Sequence, residues 1–353
     1  MDIRTIDHLE IFTEDAQEAA DRLRTGFGFT VHGRGGPDTG LTDRVSILLR
    51  QHDITLLVTE PLTTGHRAHE YLARHGEGIA VIGLAVDDAA AAFTEAVEGG
   101  AMPLEPPSTL DPEGSPVTFA AVDGFGDVEH RFTSRRHPSG PFAPGRVAER
   151  PAPAAGLLRE VDHVAVCLPP GELDGAIRRY QQMFGLDQTF EEQIIVGKQA
   201  MRSKVVQSRS GGVTFTIIEP DTTRDPGQID SFIESHGGAG VQHVAFRTED
   251  IVTGVRSCAA QGVSFLSTPG EYYEALPGRL GPVGVPVEQL RELSILADRD
   301  YAGVMLQIFT ASTHPRHTLF YELIERHGAR TFGTNNIKAL YEAVEREQAA
   351  AQA

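Results

Sequence analysis

Apolar and polar residues alternate with a period of two through Ile6-Asp7-His8-Leu9-Glu10-Ile11-Phe12, the pattern of a strand. The acidic, alanine-rich stretch from Thr13 to Gly26 that follows predicts a helix. The same order recurs near the middle of the chain, where Val161 to Leu168 reads as a strand and about Gly171 to Phe184 as a helix. A second correspondence pairs Gly76 to Ala85 with Gly238 to Phe246, and a helical stretch follows each, Asp88 to Glu98 and Asp250 to Gln261. Two matches at nearly the same offset predict a unit of about half the chain that occurs twice.

Between the copies, Ser134 to Gly145 and on through Pro151 and Pro153 to Gly156 is rich in Pro, Gly, Ala and Arg. Such a stretch does not sustain a helix or a central strand and reads as a linker. The boundaries that follow are 1–134, 135–156 and 157–353. Within each half the order of strands and helices predicts two βαβββ modules. The fold class is therefore α+β: tandem domains of paired modules, each an open, barrel-like mixed sheet with helices outside.

Composition narrows the function classes. With 31 Lys+Arg against 49 Asp+Glu, the 353-residue chain carries a formal charge of −18. That charge argues against nucleic acid or an anionic membrane surface as partner. No apolar run approaches the roughly 20 residues of a membrane span, and the N-terminal residues lack the pattern of a signal peptide. A cytoplasmic protein is expected, able to form a homo-oligomer such as a dimer. Two cysteines, Cys167 and Cys258, are too few for a disulfide framework.

The duplication isolates candidate chemistry by difference. The first copy has His8 where the second has His163, but Val81 where the second has His243, and the Glu129-His130-Arg131 region where the second has Glu322. Each of the three residues in the second copy lies in a strand-like run, and a period of two puts Val161, His163, Ala165 and Cys167 on one face, Val241, His243 and Ala245 on another, and Phe320, Glu322 and Ile324 on a third. A buried carboxylate needs a partner, and Glu322 has no basic neighbour within its run. Two imidazoles and a metal ion satisfy it. Two histidines and a carboxylate are the donor set of non-haem Fe(II) oxygenases, with positions left for substrate and O2; zinc stays open. A lone strand histidine is ordinarily a core or surface residue, so the reading rests on the three together. His8 reads as structural, His314 and His317 sit in a Pro-containing turn, and His236 and His327 belong to no constellation.

Several long motifs resemble one family. They are Gly238 to Phe246, Leu290 to Asp300, Leu306 to Thr310, Phe320 to Gly328 and Phe332 to Ala343. These are similar to the 4-hydroxyphenylpyruvate dioxygenase-like members of the vicinal oxygen chelate superfamily, over nearly the whole chain. The resemblance implies Fe(II) held by His163, His243 and Glu322, with 4-hydroxyphenylpyruvate and O2 as substrates. It also implies a pocket in which Phe309, Phe320 and Phe332 surround the ring, while Ser203, Gln228, Gln242 and Gln307 orient the phenol or support the metal.

Two activities of this family share the substrate: ring hydroxylation to homogentisate and benzylic hydroxylation to 4-hydroxymandelate, both releasing CO2. Where the dioxygenases have Asn in a Pro-(Ile/Leu)-Asn-Glu-Pro strand, this chain has Ile218; where they have Asn-Phe, it has Asn336 followed by Ile337. Both departures, with Asp225 to Asp230, are similar to the hydroxymandelate-forming branch and imply the benzylic product, in the setting of antibiotic biosynthesis. Homogentisate formation is the alternative, and metal or ligand binding without catalysis a more distant one. The last segment, Asn335 to Gln348, has Ile337, Leu340, Tyr341 and Val344 on one helical face, which fits either a docked terminal helix or a lid over the substrate.

Overall fold

A computed structural model describes residues 1–112, 114–137, 140–150 and 152–339. The N-terminal half runs β1 (Ile3–Phe12), α1 (Ala16–Phe27), β2 (Thr30–Gly35), β3 (Arg44–Gln51), β4 (Ile54–Pro61), α2 (Arg67–His75), β5 (Gly78–Val86), α3 (Ala89–Glu98), β6 (Pro103–Leu110), β7 (Val117–Phe125) and β8 (Val128–Arg135). A two-residue strand, β9 (Ala148–Glu149), leads to the second half. That half runs β10 (Leu158–Cys167), α4 (Leu173–Phe184), β11 (Asp187–Val196), β12 (Gln199–Gln207), β13 (Thr214–Pro220), α5 (Gln228–His236), β14 (Gly240–Thr248) and α6 (Ile251–Ala260). Two short helices, α7 (Gly270–Leu280) and α8 (Val287–Glu292), precede β15 (Leu296–Arg299), β16 (Val304–Phe309) and β17 (Phe320–His327).

The two sheets share one plan. In the second, of order β11-β12-β13-β10-β14-β17-β16-β15, the first strand of each module stands at the centre and pairs in parallel with the last strand of its own module. β10 and β14 meet antiparallel in the middle. The first sheet repeats this with β1 and β5 at its centre. Val164 and Val166 of β10 and Val244 and Phe246 of β14 face the helices in one continuous core that includes both halves. Their neighbours Ala165 and Cys167 face a separate cluster on the sheet's other side. Helices are set off by the chemistry at their starts: Asp88 accepts from the Ala90 and Ala91 amides ahead of α3, and Asp250 from Thr253 ahead of α6.

Two expectations need correction. The stretch read as a linker is also part of the first domain: β9 pairs with β2 at the sheet edge, and Phe142, Ala143 and Val147 pack on Leu48 and Leu57. Its few apolar residues find cover there, which composition alone did not reveal. Second, β14 does not alternate strictly. Ala165 pairs with His243 but Val166 with Val241, so Gln242 is an extra residue in a β-bulge. Val241 therefore turns into the helix-side core, apart from His243. No described helix is long and apolar enough to cross a membrane.

The halves meet through buried and partly buried aromatic groups. Phe27 and Phe29 contact Tyr321 and Phe246 edge-on, His130 Nε2 lies 2.8 Å from the Tyr180 hydroxyl, and His75 stacks on His236 at 4.3 Å. Burial pushes His130 down to about 4, and burial with the neighbouring His75 does the same to His236. Unfolded imidazoles take up a proton near 6.5, so the folded state binds fewer protons below that value, and stability falls as pH drops from about 6.5 toward 4. Each residue should contribute up to about 3 kcal/mol of this loss. Urea unfolding from pH 7 to 4.5 should show the loss, and His130→Gln should reduce it; a pH-independent midpoint would contradict the assignment.

Candidate metal centre

Register brings the three candidate ligands together. His163 pairs with Ala245, and Ala245 pairs with Glu322, so these residues form one row across β10, β14 and β17. In the next row Ala165, His243 and Phe320 are aligned. Aligned residues share a face. Ala245 is small, so the longer side chains on either side can lean toward each other above it. Among the described residues His163, His243 and Glu322 form a buried group whose ligand atoms all lie within 4.8 Å of one another.

Every ring nitrogen and oxygen not needed at the centre is engaged outside it. His163 donates from Nδ1 to Asp162 at 2.8 Å, leaving Nε2 3.4 Å from Glu322 Oε2. Asp162 is in turn held by two donors of Arg326, at 2.7 and 2.8 Å. His243 Nδ1 lies 3.3 Å from Gln242 Oε1, and its Nε2 is 3.5 Å from Glu322 Oε2. The bulge makes this possible, since it turns Gln242 and His243 to the same side. Glu322 Oε1 accepts from Gln307 Nε2 at 2.8 Å, and Gln307 Oε1 accepts from Asn336 Nδ2 at 2.7 Å. Each ligand thus presents one lone-pair atom to a common point with its orientation fixed from behind, an arrangement that fits a divalent metal.

The electrostatics at the centre turn on one buried carboxylate between two imidazoles. Burial disfavours charge on all three groups. At Glu322 the two imidazoles outweigh it and hold the carboxyl down to about 2. At His163 the Glu322 carboxylate and the Asp162 hydrogen bond outweigh it and raise the imidazole to about 9, whereas at His243 burial prevails and the shift is downward. A metal ion entering here replaces a proton.

The cavity beside the ligands measures about 30 Å³ and is lined by Ser203, Ile218, Gln242, Gln307, Phe309, Phe332 and Ile337, all anticipated from the sequence. Three anticipated residues lie elsewhere. Phe320 stacks on the His243 ring at 4.9 Å and braces that ligand. Asn336, fully buried, sits behind Gln307. Gln228 begins α5 and lines a different, smaller cavity behind Ile194 and Met201. The sequence reading missed Ile194, Met201 and Thr216 in the wall. Ser203 pairs with Ile218, and Met201 and Thr216 lie two residues from these on the same strands, so alternation could have found them. The Thr216 hydroxyl is buried and has no hydrogen-bond partner among the described residues. Residues 334–339 are helical and bring Ile337 over the cavity; Leu340, Tyr341 and Val344 lie outside the described residues.

The first half shows what replaces the site. There His8 pairs with Gly83 and Gly83 with Arg131, while Val81 pairs with Glu10 and Glu129. Arg131 therefore stands where the second half has Glu322, with Val81 at the second histidine position. Its guanidinium donates to Glu10 at 2.8 Å and to Glu129 at 2.6 Å. Against the cost of burial, Arg131 holds Glu10 down to about 2. The outer support persists: His8 Nδ1 is 2.7 Å from Asp7, which pairs with Arg135, as His163, Asp162 and Arg326 do in the second half.

Comparison with known proteins agrees with this organisation. Residues 5–124 and 162–279 each match the Glyoxalase/Bleomycin resistance protein/Dioxygenase superfamily. The chain is 31% identical to a 4-hydroxyphenylpyruvate dioxygenase of Aspergillus fumigatus, over 97% of its length and 92% of that protein. It is 32% identical to one from Xenopus tropicalis, over 97% and 90%. Among solved structures it is similar to a mutant of 4-hydroxymandelate synthase from Streptomyces coelicolor, with a TM-score of 0.91, 44% identity, and 99% and 100% of the two chains covered.

Glu322→Ala should bring bound metal, measured by elemental analysis after Fe(II) loading, from about one per chain to near zero while far-UV circular dichroism is unchanged; retained metal would exclude the site. Arg131→Met leaves Glu10 and Glu129 without their shared cation. It should cost about 3–5 kcal/mol in urea unfolding, and an unchanged midpoint would show that the cluster does not matter for stability.

Proposed function

The chain belongs to the 4-hydroxyphenylpyruvate dioxygenase family, and on that premise we propose that it is an Fe(II)-dependent enzyme that converts 4-hydroxyphenylpyruvate and O2 to 4-hydroxymandelate and CO2. One observation carries the choice of product. Ile218 and Ile337, both in the wall of the metal cavity, present only hydrocarbon where the family's ring-hydroxylating pattern has an amide and a flat aromatic ring. The 44% identity to 4-hydroxymandelate synthase, against 31% and 32% to the dioxygenases, supports the same choice.

His163, His243 and Glu322 would hold the iron, which supplies the redox chemistry that couples decarboxylation of the keto acid to hydroxylation. The protein's part is placement. Phe309 and Phe332 provide apolar walls for the aromatic ring, and Ser203 and Gln242 provide polar contacts. The unpartnered Thr216 hydroxyl is available to the phenol oxygen, since a buried polar group without a partner is costly. Gln307 has its oxygen occupied by Asn336 and its nitrogen by Glu322, so its role is to fix the carboxylate ligand. Ile218 cannot tether the ring by a hydrogen bond, and Ile337 is shorter and branched, so the ring can turn away from the metal and leave the benzylic carbon nearest to it. Small displacements of this kind change rates by orders of magnitude.

Chromatography of the products formed by iron-loaded protein should give 4-hydroxymandelate as the main product, and homogentisate as the main product would reject the proposal. Ile218→Asn combined with Ile337→Phe should move the product ratio toward homogentisate; a ratio that does not move would mean these two positions do not set the outcome.

A further inference from the structure

Arg326 ties one metal ligand to the segment that walls the metal cavity. Its Nε and Nη2 donate to the two oxygens of Asp162, at 2.7 and 2.8 Å, and Asp162 accepts from His163 Nδ1. Its third nitrogen, Nη1, donates to the Ala329 and Thr331 carbonyls, at 3.3 and 2.8 Å. Those residues lead into Phe332, whose ring centre lies 5.4 Å from the same guanidinium carbon. The ring also meets His163 edge-on at 5.0 Å and forms part of the cavity wall. Only a guanidinium has enough donors, in a rigid fork, to hold a carboxylate on one edge and backbone carbonyls on another.

The first half repeats this assembly around His8, which belongs to no group of metal donors among the described residues. Arg131 stands at the position of Glu322, so Arg135, four residues on, stands at the position of Arg326. Arg135 bonds both oxygens of Asp7, and Asp7 bonds His8 Nδ1. It also reaches the Pro141 and Phe142 carbonyls, at 3.2 and 3.5 Å, and lies 5.6 Å over the Phe142 ring. Phe142 in turn meets His8 edge-on at 4.9 Å. Phe142 lies seven residues beyond its arginine and Phe332 six, so two segments of different length reach one arrangement. Accidental packing does not account for that.

What differs is what each ring covers. Phe142 packs with Leu48, Leu57 and Val147 and closes the first half, whereas Phe332 stands at a cavity beside a metal ligand. The backs of both assemblies face one chamber of about 1050 Å³ between the two halves, lined by Asp7, Arg135 and Phe142 on one side and Asp162, Arg326 and Phe332 on the other.

We propose that Arg326 is a positioning residue that couples the metal to the cavity wall: His163 is held in register with the metal while segment 329–332 is in place, and metal binding in turn fixes that segment. The guanidinium keeps its hold on Asp162 at the distance that its bonds to residues 329 and 331 permit. Those bonds persist while Asp162 keeps the guanidinium in position. Linkage then requires the effect to run equally in both directions. The coupling rests on the metal centre argued above.

Co(II) is the probe, because its visible absorption reports binding. Titration of the metal-free protein gives the affinity, and hydrogen exchange of a peptide spanning residues 328–333 follows the segment. In the unaltered protein, saturating Co(II) should slow exchange in that peptide at least about fivefold. Arg326→Gln should weaken Co(II) binding about 10–100-fold and abolish the response of the peptide. Arg135→Gln breaks the matching bonds in the first half but shares no hydrogen-bond partner with the metal centre, so it should leave both readings within about twofold. If Arg326→Gln does not fold, Arg326→Lys keeps a charge beside Asp162 while one ammonium cannot span both partners, and the exchange response should again be lost. Co(II) affinity within about twofold of the unaltered protein in Arg326→Gln would overturn the coupling. So would an exchange response that survives in either Arg326 variant, or one that is absent from the unaltered protein although Co(II) binds. No Co(II) binding to the unaltered protein would instead reject the metal centre, and the coupling with it.

Discussion

Glu322 is a carboxylate with 1% of its surface exposed, and an ionised group so placed must be compensated or neutralised. Compensation comes from three adjacent strands whose register puts two imidazoles within 3.5 Å of one carboxylate oxygen. The remaining atoms of each ligand are committed to Asp162, Gln242 and Gln307, so the free lone pairs converge. This arrangement also explains the tandem architecture. The first strand of each module lies at the sheet's centre beside the last, so residues far apart in sequence, His163, His243 and Glu322, become neighbours on one face.

The two halves compensate their buried carboxylates in different ways. Where the second half collects two imidazoles and a carboxylate in a set suited to a metal, the first places the Arg131 guanidinium between Glu10 and Glu129. A fixed organic cation needs no loading and holds the strands together, but it leaves no open position for a ligand. The Asp7–Arg135 pair behind His8 repeats the frame that Asp162 and Arg326 make behind His163, although the first half lacks the other two donors. The first half also lends about half of the wall of the chamber between the two halves.

Much of this was legible in the sequence. The repeat, the module order and the three ligands follow from alternation and from the difference between copies, because these are local patterns that duplication makes comparable. What was not legible depends on register. The bulge at Gln242 cannot be read from a run in which every residue is compatible with a buried strand, yet it decides that Gln242 and His243 face the same way while Val241 does not. The choice among Glu129, His130 and Arg131 likewise required the pairing of Gly83. Ile194 enters the wall only through its pairing with Met201, and Gln228 leaves it because α5 begins on the far side of Ile194 and Met201. The apolar residues that fold β9 and its approach onto Leu48 and Leu57 were hidden by the prolines and glycines around them.

The product assigned to this chain depends on small differences of shape in a wall, but those differences matter only if the metal is where three strands place it. Diffraction from crystals of the Fe(II)-loaded protein at the iron absorption edge locates the metal directly. A single anomalous peak per chain, within bonding distance of His163 Nε2, His243 Nε2 and a Glu322 oxygen, is the expected result. A peak beside His8 and Arg131, or at any other set of ligands, would contradict the division of labour between the two halves.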